Sequence, residues 1–210
     1  MATPSGNNNT GGPCLEGHYC PTGSADPQGC EAGTYNDHEL QSECFTSPAG
    51  YYCVANSTAY IGSDCPTGHY CLNGTRYATE YPCPAGTFTN ETGTNAASSC
   101  ATCPAGEYCA TPGLSETSGP CVGGFVCAGG ASSATPTDNS TGWICPMGSY
   151  CPTGSSFAVA CTPGQCCVND GLSAPTGNCT AGYYCTSGAS SPTPVDGVTG
   201  NVCPAGSYCP

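Results

Sequence analysis

The apolar positions of this chain follow neither of the two common periods. Nothing sustains the 3.6-residue spacing of an amphipathic helix, and Pro or Gly interrupts every stretch of helical length. What recurs is a seven-residue unit, C-x-x-G-x-x-C, usually with an aromatic residue before the second cysteine. It is complete at Cys14–Cys20, Cys65–Cys71, Cys103–Cys109, Cys121–Cys127, Cys145–Cys151, Cys161–Cys167, Cys179–Cys185 and Cys203–Cys209. A ninth copy, SPAGYYC, carries Ser47 in place of the first cysteine. Two half copies, CEAGTY from Cys30 and CPAGTF from Cys83, lack the second.

Each position has a physical role. Pro after the first cysteine suits the second place of a turn, and the Gly two residues later supplies a positive φ. The Tyr brings a large apolar face with a polar tip. The pattern predicts small disulfide-rich repeats of short β-hairpins and turns, with almost no helix, arranged as an elongated rod of modules that touch only their neighbours.

A longer period overlies the short one. Residues 121–152 align without gaps on residues 179–210, with 19 of 32 positions identical, and share GASS-x-TP-x-D-x-x-TG between their motifs. The expected organisation is a polar lead over 1–13, cysteine-rich repeats over 14–64, 65–120 and 121–178, and a partial repeat over 179–210.

Composition explains why cysteine dominates. Leu, Ile, Val and Phe together number 19 in 210 residues, while Gly supplies 31, Pro 20 and Cys 22. So few large apolar side chains with a net charge of −13 would ordinarily leave a chain disordered. Disulfides offset that, each contributing roughly 3 kcal/mol when it closes a ~15-residue loop. Up to eleven could form, and spacing alone leaves their pairing open.

Charge excludes other classes. One Arg, no Lys and an isoelectric point near 4.1 give no footprint for nucleic acid. No apolar run reaches the ~20 residues that span a bilayer. The opening MATPSGNNNT has neither a basic nor an apolar leader region. Dense cysteine nevertheless implies an oxidising compartment, so the chain reads as a processed or partial stretch of a secreted or cell-surface protein.

The segment CPAGTFTNETGTNAASSCATCPAGEYC, from Cys83 to Cys109, resembles the ephrin-receptor-like cysteine-rich repeat, a relative of EGF-like and TNF-receptor-like modules. Residues 30–53 match with Ser47 replacing a cysteine, and the remainder shares only the CPxGxYC element. The resemblance implies an extracellular, disulfide-bonded, elongated structure. Such repeats occur in receptor ectodomains and, in long runs, in surface and flagellar-hair proteins of protists and algae.

Candidate chemistry is sparse. His18, His38 and His69 have no evident partner carboxylate or nucleophile and read as exposed loop residues; no enzyme is expected. Cys100-Ala-Thr-Cys103 has a zinc-like spacing. Its counterpart Cys44-Phe-Thr-Ser47 loses the second thiol, so disulfides are expected and no metal site or cofactor. Fourteen scattered acidic residues suggest weak calcium binding at most.

Glycosylation has the strongest local signal, with sequons at Asn8, Asn56, Asn73, Asn90, Asn139 and Asn178. Thr135-Pro136 and Ser191-Pro192-Thr193-Pro194 look like O-glycan or hydroxyproline-glycan acceptors. Cys166 breaks the pattern inside CTPGQCC, and the cysteine that Ser47 would have paired is left over too. Either both find local partners, or at least one is free or joins a neighbouring chain. The function expected is a structural subunit of an extracellular glycosylated fibre or coat that associates with itself into filaments. The alternative is a ligand-binding receptor or adhesion ectodomain.

Overall fold

The computed structural model describes residues 13–24 and 26–210. Among them helix is limited to one 3-10 turn, Ala97–Ser99, and the strands form eight two-stranded sheets. Short hairpins with almost no helix are what the motif predicts.

The hairpins follow one rule. The two residues after a motif glycine pair antiparallel with the two just before the next motif: His18–Tyr19 with Gln28–Gly29, Thr34–Tyr35 with Phe45–Thr46, Ser149–Tyr150 with Val159–Ala160. Two copies reduce this to single bridges, Tyr51 with Asp64 and His69 with Pro82. Each motif also closes a turn. In CPAGEYC the Glu107 N–H donates to the Pro104 carbonyl at 3.2 Å, with Gly106 at φ 89°. Pro therefore occupies the first place of the turn and supplies its acceptor, not the second place that its fixed φ suggests. Gly takes the third place, where a positive φ is required.

Two compact units divide the chain. One comprises the chain up to Pro84 with Phe88–Ala101 and Pro112–Glu116; the other comprises Ala85–Thr87, Thr102–Thr111 and Thr117–Pro210. Neither has a conventional hydrophobic core. Among the described residues the buried apolar ones are almost all cysteines, joined by Val126, Ala131 and Ala189.

Ten disulfides form. Eight close the complete motifs at a separation of 6, and two, Cys30–Cys44 and Cys83–Cys100, span 14 and 17 residues. The long bridges belong to the half copies. There the position of the second cysteine is filled by a buried polar residue, Asn36 or Thr89. Asn36 donates to the His18 carbonyl at 2.5 Å and accepts from His38 N–H at 3.3 Å, so its amide is satisfied inside.

At two motifs the aromatic position packs on the following bridge. Tyr108 lies against Cys121, Cys127 and Ala131, and Val126 takes the equivalent place against Cys145 and Cys151.

Candidate functional site

The most regular feature of the molecule is a backbone ladder linking successive motifs. In the first unit the Gly17, Gly33, Gly50 and Gly68 N–H groups donate to the carbonyls of Asn36, Cys53, Cys71 and Thr89, each the last position of the next motif. In the second unit Gly86, Gly106, Gly124, Gly148, Gly164 and Gly182 do the same, to Cys109, Cys127, Cys151, Cys167, Cys185 and Cys209. The return bond is equally regular: the N–H that opens each motif donates to the preceding glycine carbonyl, as in Cys30 to Gly17 at 2.9 Å and Cys203 to Gly182 at 2.8 Å.

Two further bonds complete most steps. The last residue of a motif donates into the loop beyond the next one, as Cys53 does to Thr75 at 3.0 Å. A left-handed residue in that loop donates back to the opening residue of the earlier motif, as Gly74 does to Ser47 at 2.8 Å. This second positive-φ position is usually Gly, but Leu40 (φ 62°) and Asn56 (φ 63°) also hold it. Sequence reasoning passed over it. The signal was available in the Gly that recurs nine or ten residues after a motif opens, at Gly74, Gly93, Gly113 and Gly154.

The motif glycine also meets a more distant neighbour. At Gly124 (φ 93°) an added Cβ would lie 2.2 Å from the Gly171 carbonyl oxygen, which follows the second motif onward. Contact thus extends beyond nearest neighbours, contrary to the simplest expectation for serial modules. The ladder itself absorbs changes of loop length, since motif openings are separated by 16 to 24 residues.

The two most alike loops owe their likeness to a carboxylate cap. Asp138 Oδ1 accepts from Ser140 and Thr141 N–H at 2.8 and 2.7 Å, and the Thr141 hydroxyl donates to Oδ2 at 2.6 Å. Asp196 repeats this with Val198 and Thr199. The hydroxyl of Thr141, then the backbone donors, holds Asp138 below the usual carboxylate range; Thr199 does so for Asp196. Pro136 and Pro194 are buried in these loops. Thr135 and Thr193 are exposed, and Ser191 and Pro192 are half-buried.

The sequon asparagines Asn56, Asn73, Asn90, Asn139 and Asn178 are all exposed; Asn8 lies outside the described residues. Asn73 Oδ1 accepts from Ala49 N–H at 2.7 Å, which leaves its amino group outward. Asn56 and Asn139 (φ 59°) both hold left-handed turns.

The histidines are not gathered. Their Nδ1 atoms approach the Glu16 carbonyl at 3.3 Å for His18 and the Thr67 carbonyl at 3.2 Å for His69. Both are half-buried where the sequence suggested exposed loops; only His38 is exposed, and the Asp37 carbonyl and carboxylate raise its pKa. The single Arg76 is engaged by Glu80, with Nη2 to Oε1 at 2.8 Å. Among the described residues no group of three or more His, Cys, Asp or Glu side chains is placed to hold a metal ion.

Two cysteines are free of disulfides, Cys53 and Cys166, and both are buried. Cys53 stands in the bridge position opposite Ser47, which is wholly buried with its hydroxyl unpartnered. Cys166 instead fills the aromatic position. One further surface stands out in the first unit. Tyr60 meets Tyr35 and Tyr51 edge-on at 5.1 and 5.0 Å, and Tyr35 packs on Phe45 at 5.9 Å. Burial, with Asp37 nearby, pushes the Tyr35 hydroxyl up. Phe45 and neighbouring Ile61 are exposed.

No family model matches the chain, and no curated protein matches its sequence.

Proposed function

We propose that this protein is a structural subunit of an extracellular, glycosylated fibre or coat. A disulfide-rich repeat is compatible with an extracellular structural or receptor-like protein, and ten bridges speak for an oxidising environment. No described helix is long and apolar enough to cross a membrane. The observation that carries the structural reading is the ladder. Its bonds join backbone to backbone, with the same donors and acceptors whatever side chains the step presents. A sequence spent on repeating one backbone geometry suits a spacer that extends by adding steps, and stacked steps would build the elongated rod that the resemblance to ephrin-receptor-like repeats implies. Five exposed sequons would carry its sugars, and nothing in the reading requires catalysis or a cofactor.

Electrostatics sets a condition on assembly. With a net charge of −13 and one Arg already paired to Glu80, copies repel at low ionic strength and approach when salt or calcium screens them. Electron microscopy of the native glycosylated material, with and without salt and calcium, tests this. Filaments or a layered coat are expected; dispersed single particles under every condition would overturn it.

A receptor or adhesion ectodomain is the second reading. The aromatic cluster of Tyr35, Phe45, Tyr51 and Tyr60 favours it, since exposed aromatic faces are common anchors in protein interfaces. Replacing Phe45 and Tyr60 with Ser would abolish ligand capture under that reading and leave assembly intact under the first.

A further inference from the structure

At two motifs the residue in the aromatic position packs against the disulfide of the next motif, and at a third that position is a cysteine. Where Tyr108 lies on Cys121–Cys127 and Val126 on Cys145–Cys151, Cys166 lies in one buried cluster with Cys185 and Ala189, with Cys179 packed against it. The free Cys166 therefore packs against both residues of the Cys179–Cys185 bridge, its Sγ donating to the Gly177 carbonyl at 3.6 Å. The backbone frames the contact from both sides. Gly164 N–H donates to the Cys185 carbonyl at 3.1 Å, Cys179 N–H donates to the Gly164 carbonyl at 2.9 Å, and Cys166 pairs with Gly177 across the hairpin. Cys166 is 2% exposed and Cys185 6%, whereas Cys179 is half-buried.

We propose that Cys166 exchanges with this bridge and thereby moves the free thiol outward to Cys179. Cys166 gives up its proton, and the thiolate attacks Cys185 Sγ. The Cys166–Cys185 bond forms as the Cys179–Cys185 bond breaks, and the Cys179 sulfur leaves as a thiolate that takes up a proton. One thiol and one disulfide stand on each side of the step, so no oxidant or reductant is needed. The outward form presents a modification site: a thiol that reacts with electrophiles or with a thiol-bearing second chain, from a starting state in which the thiol is sealed. Cys53 cannot do this, because it occupies a bridge position opposite a serine.

The test uses the intact folded protein without reductant, held at mildly acidic and at mildly alkaline pH. Each sample is quenched in acid, unfolded there with a maleimide that labels free thiols, and mapped as peptides. Labelled Cys179 together with a Cys166–Cys185 linked peptide is expected, increasing towards alkaline pH because the thiolate is the nucleophile. Both species should fall to background in Cys166→Ser and in Cys166→Tyr, the latter restoring the residue that packs elsewhere. Label confined to Cys53 and Cys166 at every pH would overturn the proposal. Label at Cys185 in place of Cys179 would overturn the assigned direction of attack, and Cys179 label that persists in either variant would show that Cys166 is not the nucleophile.

Discussion

Neighbouring motifs at Ser47–Cys53 and Cys65–Cys71 differ in the bond usually assumed to hold such repeats. The second is closed by a disulfide; the first has a serine facing a free thiol. Their ladders are nonetheless the same. Ser47 N–H reaches the Gly33 carbonyl at 2.9 Å and Cys65 N–H reaches Gly50 at 2.8 Å; Gly50 reaches Cys71 and Gly68 reaches Thr89, both at 2.8 Å. The half copies with Asn36 and Thr89 keep these bonds as well. Disulfides thus lock a geometry that glycines and turns create. The unbridged motif also carries an unsatisfied buried hydroxyl, at Ser47, so shape survives the loss of a bridge while a polar group is left without a partner.

The strongest way to break the comparison is to remove every bridge at once. Full reduction is expected to abolish the fold, because nineteen large aliphatic and Phe residues cannot offset the ordering entropy of the chain. Near-UV circular dichroism before and after reductant reads this, and native tertiary signal in the reduced protein would mean that the ladder suffices alone.

The ladder can be struck without touching a bridge. Gly124→Ala forces a side chain into a left-handed residue and into the Gly171 carbonyl 2.2 Å away; we expect it to cost about 3 kcal/mol or more. Gly62 shares the positive φ but has open space around it, so Gly62→Ala should cost only about 1 kcal/mol. Denaturant unfolding under oxidising conditions compares the two. Equal effects would show that the close approach carries no weight.

Conversely, Ser47→Cys should close the missing bridge with Cys53. The seven-residue loop gains about 2 kcal/mol in the chain-entropy account, removes the unpartnered hydroxyl and raises the melting temperature. Mass spectrometry finding both thiols still free would mean that the shared backbone bonds do not bring the two side chains together.

The smallest effect concerns the capped loops. Asp138 and Asp196 are held below the ordinary carboxylate pKa by their Thr hydroxyls and backbone donors, so what they contribute is present at neutral pH. It is lost only as pH falls from the ordinary value near ~3.9 towards the lower folded one. Amide exchange at Thr141 and Thr199 should stay slow through mild acid and quicken in strong acid. In Asp138→Asn, Ser140 and Thr141 should exchange faster at neutral pH while Thr199 stays unchanged.

Much of this architecture was legible in local sequence. A motif that carries its own turn glycine and hairpin residue specifies the same short strands wherever it occurs, since turn and pleat are settled within a few bonds. Cys166 and Ser47 were visible as departures from that motif for the same reason. Bridge pairing was not visible: Cys30 and Cys83 could reach several partners by spacing, and only the fold shows that Cys44 and Cys100 come to them while Asn36 and Thr89 turn inward. Equally hidden was the ladder, whose partners lie a full motif apart and whose glycines from Gly17 to Gly148 have a carbonyl from two motifs on in the space a Cβ would take.

The sequence by itself therefore determined the local conformation of each motif, because φ preference and turn closure are properties of adjacent residues. The tertiary structure decided which sulfurs meet, which glycines are irreplaceable, and that one free cysteine packs with the two residues of a disulfide. Those outcomes depend on which surfaces the loops bring into contact, and loop length alone, from 16 to 24 residues between motif openings, does not encode that.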